Sequence, residues 1–204
     1  MPPVASDPAG LTRRSLLLAF GASVVAGCAP RVIPATPDEI TRLSDAFVAL
    51  SPRVDRREAA HAARIAFTYP LELRAQYEVE DPPILHNMKV NAGIKPRGLC
   101  WQWAEDMQKR LEREQFETLQ THRAIANAFN PLRIDHSTVI LSARGARFDE
   151  GIILDPWRFG GRLFWAPVLE DPRYDWVLRK EVFARKRALG LGRDEPSSEP
   201  LPST

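Results

Sequence analysis

Three residues of the chain have the types that nucleophilic acyl transfer requires, in a workable order: Cys100, His136 and Asp155, separated by 36 and then 19 positions. In such a set a thiolate attacks a carbonyl carbon, and an imidazole takes the thiol proton and later returns it to the leaving group. A carboxylate keeps the imidazole in the right tautomer and orientation. Cys100 stands in "PRGLCWQWA", at the head of a helix predicted over Cys100 to about Phe116. At a helix start the dipole and the unpaired N–H groups favour negative charge on sulfur. The same N–H groups suit an oxyanion, with Asn87, Asn91 and the indole of Trp101 as further candidate donors.

The elements around these residues must bring them together. In the Cys100 helix, Cys100, Trp103, Ala104, Met107 and Leu111 share one face, and Glu105, Asp106, Lys109, Arg110, Glu112 and Arg113 fill the other. Apolar runs at Val139-Ile140-Leu141 and Ile152-Ile153-Leu154 then predict two strands of a hairpin. With Gly145-Ala146 as the central residues of a type II′ turn, Thr138 faces Ile153, Val139 faces Ile152 and His136 faces Asp155. His136 and Asp155 then lie on one face, with Cβ atoms about 5 Å apart, while Val139, Leu141, Ile152 and Leu154 point the other way into a core. Arg162 to Trp165, after the "FGG" turn, adds a third strand.

Helical spacing also predicts a helix from Asp38 to Leu50, a second over about Asp55–Phe67, a short one opened by Pro82-Pro83 through about Val90, and a last one over about Tyr174–Leu189. Between the second and third, "TYPLELRAQYEV" is expected to carry the chain outward. Trp103 and Trp165 read as core, and Trp157 as a shield over the His–Asp pair. His86 reads as a surface or structural residue, and His61 and His122 as surface residues. Taken singly, Cys100 is also readable as a buried small hydrophobe, His136 as a polar strand end and Asp155 as the start of a turn.

The blocks "RGLCWQWAEDM", "DHSTVIL" and "ILDPWR" resemble those of the transglutaminase-like cysteine protease superfamily, over roughly Pro96 to Trp165. The resemblance implies an α+β, papain-like core: a Cys-bearing helix packed on a small antiparallel sheet, with N-terminal helices added. It maps the nucleophile to Cys100, the base to His136 and the orienting acid to Asp155. It further implies hydrolysis or acyl transfer at amide bonds, in peptides or the peptidoglycan stem, with breakage preferred to crosslinking. Trp101 departs from the small or acidic residues often found after the nucleophile. The rival reading is a non-catalytic envelope module that keeps this fold and binds through its cleft.

The first residues have a different character. Arg13-Arg14, the apolar run Leu16–Val25 and Val25-Ala26-Gly27-Cys28 predict a signal peptide over 1–27, resembling a twin-arginine leader that ends in a lipobox. Cys28 would then be acylated, 28–37 would form a Pro-rich tether, 38–190 a single domain and 191–204 a disordered tail. These features imply a lipid-anchored protein of the bacterial envelope, on the periplasmic face and at the outer membrane, with the membrane as partner. Cys100 is then the one thiol of the domain, so no internal disulfide is expected.

Composition excludes other classes. Hydrophobic residues make up 44% and charged residues 26% of the 204, and the net charge is +2. That balance, with both signs interleaved, offers no footprint for nucleic acid. Neither a P-loop nor a dinucleotide motif occurs, and one usable Cys with dispersed His residues has no ligand spacing for a metal. No cofactor is therefore implied.

Overall fold

The computed structural model describes residues 33–191. The leader, the lipobox Cys28 and the tail beyond 191 lie outside the described residues. Among those described, five α-helices and a five-stranded antiparallel sheet make a mixed α+β domain: α1 (Pro37–Ala49), α2 (Arg56–Gln76), α3 (Pro83–Asn91), α4 (Cys100–Glu112), β1 (Leu119–Ala126), β2 (His136–Ala143), β3 (Ile152–Phe159), β4 (Arg162–Pro167), β5 (Val177–Leu178) and α5 (Arg179–Ala188). The sheet order is β4-β3-β2-β1-β5. No helix among the described residues is long and apolar enough to cross a membrane.

The first two helices start where their capping residues dictate. Thr36 caps α1 through the Glu39 N–H, and the Glu39 carboxylate accepts from the Thr36 N–H, satisfying two orphan donors at once. Asp55 caps α2 through the N–H groups of Arg57 and Glu58. The helix does not stop near Phe67, as expected; it runs on through Pro70 to Gln76. Pro70 removes one intrahelical donor, but the extra turns bury Leu73 and Tyr77 against Trp103 and beside Cys100, and that packing carries the helix through.

The two faces of the sheet have different covers. Val139, Leu141, Ile152 and Leu154 meet Leu43 and Phe47 of α1, the alanines of α2, and Met107 and Leu111 of α4 in the main core. Ala124, Ala126, Ile140 and Ile153 point the other way, where the chain running from β4 to β5 lays Val168 and Trp176 over them. Trp176 is the reason that the last helix begins at Arg179 and not near Tyr174. Its buried ring and the pairing of Val177 and Leu178 with β1 hold this stretch extended.

The hairpin register differs from the expected one by two residues. Val139 pairs with Leu154, Ile140 with Ile153 and Leu141 with Ile152. The connection is no two-residue turn: Gly145 does take a left-handed conformation, but a short helical turn over Phe148–Glu150 follows before β3 begins. A shift of two leaves every side chain on its original face, because the period of a strand is two. His136 therefore still shares a face with Asp155, although the two meet diagonally and not directly across. The strand β1 had no counterpart among the expected elements, and it places His122 in the sheet, where its Nε2 lies 2.8 Å from Ser142 Oγ.

Candidate functional site

Cys100 is the first residue of α4, and a set of side-chain clamps fixes where that helix begins. Arg97 grips Asp106 with two N–H groups, at 3.0 and 2.9 Å, tying the preceding loop to the second turn. Gln102 reaches back so that its Oε1 accepts from the N–H groups of Gly98 and Leu99, at 2.8 and 2.9 Å. The Trp103 indole N–H donates to the Gly98 carbonyl at 3.0 Å. Leu99, at the N-cap, offers no side-chain oxygen, so the N–H groups of Cys100 and Trp101 precede the first intrahelical bonds and remain for an incoming anion.

Gly98 is required twice over. Its φ is +130°, and a Cβ there would stand 2.3 Å from Nε2 of His86. His86 is itself buried, with Nε2 bonded to the Arg97 carbonyl at 2.9 Å, so it has a structural role beneath the loop. Gly98→Ala is expected to cost about 2 kcal/mol or more and to slow alkylation of Cys100 several-fold, because the helix head must move. Chemical denaturation and mass-spectrometric labelling read the two effects; an unchanged labelling rate would remove the proposed link between this loop and the thiol.

His136 opens β2 beside Cys100. The thiol donates to the carbonyl of Asp135 at 3.5 Å. On the far side of the ring, His136 Nε2 lies 2.7 Å from Asp155 Oδ2. That bond sets Nε2 as the protonated nitrogen and leaves Nδ1, buried and with no hydrogen-bond partner, to accept a proton. All three residues are shielded: Cys100 is 8% exposed, His136 2% and Asp155 1%.

A bulge in β3 builds the rest of the site. Asp155 pairs with Phe164 but Phe159 with Arg162, so β3 holds two extra residues between those points. Pro156 lies in this bulge, where its missing N–H costs no ladder bond. The distortion turns Trp157 over His136, with ring centroids 4.7 Å apart, and its indole donates to Asn87 Oδ1 at 3.1 Å. It also folds Arg158 back onto Asp155, where the guanidinium Nε donates to Oδ2 at 3.0 Å. The two Nη groups of Arg158 reach Asp171 at 3.0 and 2.7 Å, and Asp171 accepts from the Trp176 indole at 2.9 Å. Tyr174 and Trp176 complete the aromatic wall, at 4.7 and 5.4 Å from the imidazole.

These contacts set the charges. Burial works against an ionised His136, but the Asp155 carboxylate overcomes it, aided by Cys100, and pushes the imidazole up to about 9. Burial likewise works against an ionised Asp155, yet His136 and Arg158 hold it below the usual carboxylate range. A histidine raised in the folded state stabilises fully below its unfolded value near 6.5, and that contribution is lost as pH climbs through about 9. Unfolding free energy from urea titrations should therefore fall across that window, by on the order of 3 kcal/mol. His136→Gln should flatten the slope; an equal decline in that variant would assign it to other groups.

Of the residues expected at the site, Cys100, His136 and Asp155 are brought together and Trp157 lies over the pair. Asn87 is committed to Trp157 through its carbonyl oxygen, Asn91 is exposed, and Trp101 stacks outside on the Arg97 guanidinium, 5.9 Å from its ring. His61 lies away from the site with Glu114. Sequence reasoning did not find Arg158, Asp171, Tyr174 and Trp176. A charged residue three places after Asp155 in an otherwise apolar strand was the available signal for Arg158. No family model, curated protein or solved structure matches the chain.

Proposed function

We propose that this protein is a cysteine hydrolase or acyl-transferase of transglutaminase-like, papain-like fold, acting on amide bonds through Cys100, His136 and Asp155. The observation that carries the reading is the buried bond from His136 Nε2 to Asp155, 2.7 Å long, beside a thiol at a helix head. His136 Nδ1 takes the thiol proton, and the thiolate attacks the amide carbon. The C–N bond then breaks, the amine leaves with the proton from the imidazolium, and a thioester stays on Cys100. Water, deprotonated by His136, releases the acid and regenerates the thiol; an amine in its place would give transfer. The N–H groups of Cys100 and Trp101 face the developing oxyanion. With the leader and lipobox of the sequence, the setting is the bacterial envelope, lipid-anchored through Cys28, with peptide or cell-wall amides as substrates.

One observation favours a second reading. The thiol is buried and donates to a backbone carbonyl, as a structural cysteine does, so the domain would be a non-catalytic binding module. Cys100→Ser separates the two. Turnover of a pooled peptide library by the full chain should vanish in that variant, and the cellular phenotype should match a deletion. A serine variant that supports the wild-type phenotype would assign the protein to the binding class.

A further inference from the structure

The connection between β1 and β2 touches the thiol, and it is lightly packed. Residues 127–135 leave β1 at Asn127, whose φ is +64°, and the chain rejoins the sheet at His136, which pairs with Ala126. Inside the loop, Asn127 Nδ2 donates to the Ile134 carbonyl at 3.2 Å, and Asn130 Oδ1 accepts from the Leu132 N–H at 2.9 Å. Its apolar side chains find no core: Leu132 is 92% exposed and Ile134 59%. On the side toward α5 lies a cavity of about 300 Å³, lined by Asn127, Phe129 and Asn130 of the loop and by Val177 and Val182 opposite. A segment with so little apolar packing sits at the low end of local stability.

Asp135, at the end of the loop, links the thiol to the last helix. Its carbonyl accepts from Cys100 Sγ at 3.5 Å, and its carboxylate Oδ2 meets Lys186 Nζ of α5 at 2.6 Å. Arg185, beside Lys186, stands over the ring of Phe129, 4.3 Å from its centroid. Arg133 adds a tie to the β4–β5 connection: its Nη2 donates to the Arg173 carbonyl at 3.5 Å, and its guanidinium lies 5.7 Å from the Tyr174 ring. In this arrangement the thiol proton is committed to the loop, and His136 Nδ1 has no hydrogen-bond partner. Both side chains are buried, which leaves a peptide amide no approach to Sγ while the loop is down.

We propose that residues 127–135 form an autoinhibitory strap, which α5 latches shut over the thiol through Lys186 and Arg185. The inference rests on the reading of Cys100 as the nucleophile. Closed, the strap holds the thiol proton on the Asp135 carbonyl and keeps substrate out. Lifting it between Asn127 and Asp135 frees Sγ to donate to His136 Nδ1, while the pairing of His136 with Ala126 keeps the imidazole in the sheet. The latch is one partly exposed ion pair and one cation–π contact, each modest in strength. The open state is therefore a minor one that a bound substrate can select.

The test is the rate of Cys100 alkylation by iodoacetamide in the full chain, with amide hydrogen exchange measured on the same proteins. Wild type is compared with Lys186→Met and with Arg185→Gln/Lys186→Met. At low salt the rate should rise about threefold in the single variant and about tenfold in the double one. Added salt should speed labelling of the wild type and leave the double variant nearly unchanged, because screening loosens the Lys186–Asp135 pair. Asp135→Asn should give the same gain as Lys186→Met, and combining the two should add nothing. Exchange should quicken in residues 127–135 and stay slow in β2. A rate in the double variant within about twofold of wild type overturns the strap. So does a gain accompanied by lost protection throughout β2, which would make the latch a support of the whole fold. Failure of the nucleophile reading shows separately, as labelling that gains from the latch variants yet is indifferent to His136→Ala.

Discussion

Replacing Arg158 by Leu should lower the unfolding free energy by about 3–5 kcal/mol, the usual cost of removing one partner from a buried ion network. Arg158 neutralises two carboxylates at once, Asp155 and Asp171, and its guanidinium is sandwiched between Phe164 at 3.7 Å and Tyr174 at 4.8 Å. Leucine fills part of the space but leaves Asp171 without its cation and Asp155 with His136 alone. For a domain of this size the loss corresponds to a drop in Tm of roughly 10 °C or more. The damage should be greater at pH 7 than at pH 4, where protonation relieves the stranded Asp171. Thermal unfolding at both pH values checks this; a drop in Tm of the same size at the two would mean that lost packing dominates over charge.

The largest functional effect is expected at His136. His136→Ala should reduce amide turnover by about 10²–10⁴-fold, the range associated with a positioned acid–base group. Asp155→Asn should fall between that variant and wild type, since the amide still occupies the space but no longer favours the imidazolium or fixes its tautomer. The same order should appear in kcat and not in KM, because both changes act on the proton-transfer step. A His136→Ala variant with full turnover would end the triad mechanism.

How the site was legible follows from where its members stand. Cys100 heads a helix whose apolar stripe is unbroken in the sequence, and His136 and Asp155 flank apolar runs that read as strands. Their shared face survived an error in register because the error was even-numbered. The turn was misread since Gly145 is a strong local signal, while the helical turn at Phe148–Glu150 has no sharp one. β1 went unread for a related reason: Gln120, Thr121, His122 and Arg123 look like a solvated loop. In the fold their polar groups bond to Ser142, Glu112 and Gln108, contacts made across the sheet and to α4. Arg158 and Trp157 gained their positions from a bulge, and a bulge depends on the neighbouring strand, which periodicity in one strand does not report.

The polar chain from His136 through Asp155 and Arg158 to Asp171 and Trp176 lies on the side of the sheet covered by the β4–β5 connection. The C-terminal part of the domain thus holds the imidazole in place from behind, while α2 and α3 hold the helix head from the front. Under the proposed function these shared contacts couple stability to reactivity, so Arg158 and Gly98 should matter although neither belongs to the proposed triad.

The central claim, an imidazole that activates the thiol, is tested most directly by the rate of Cys100 alkylation with iodoacetamide against pH, in the wild-type chain and in His136→Ala. The account predicts fast labelling in wild type that extends well below pH 8 and falls at least tenfold at pH 7 when His136 is removed. A profile that follows an ordinary thiol, rising near about pH 8.5, and that is the same in both proteins would contradict it.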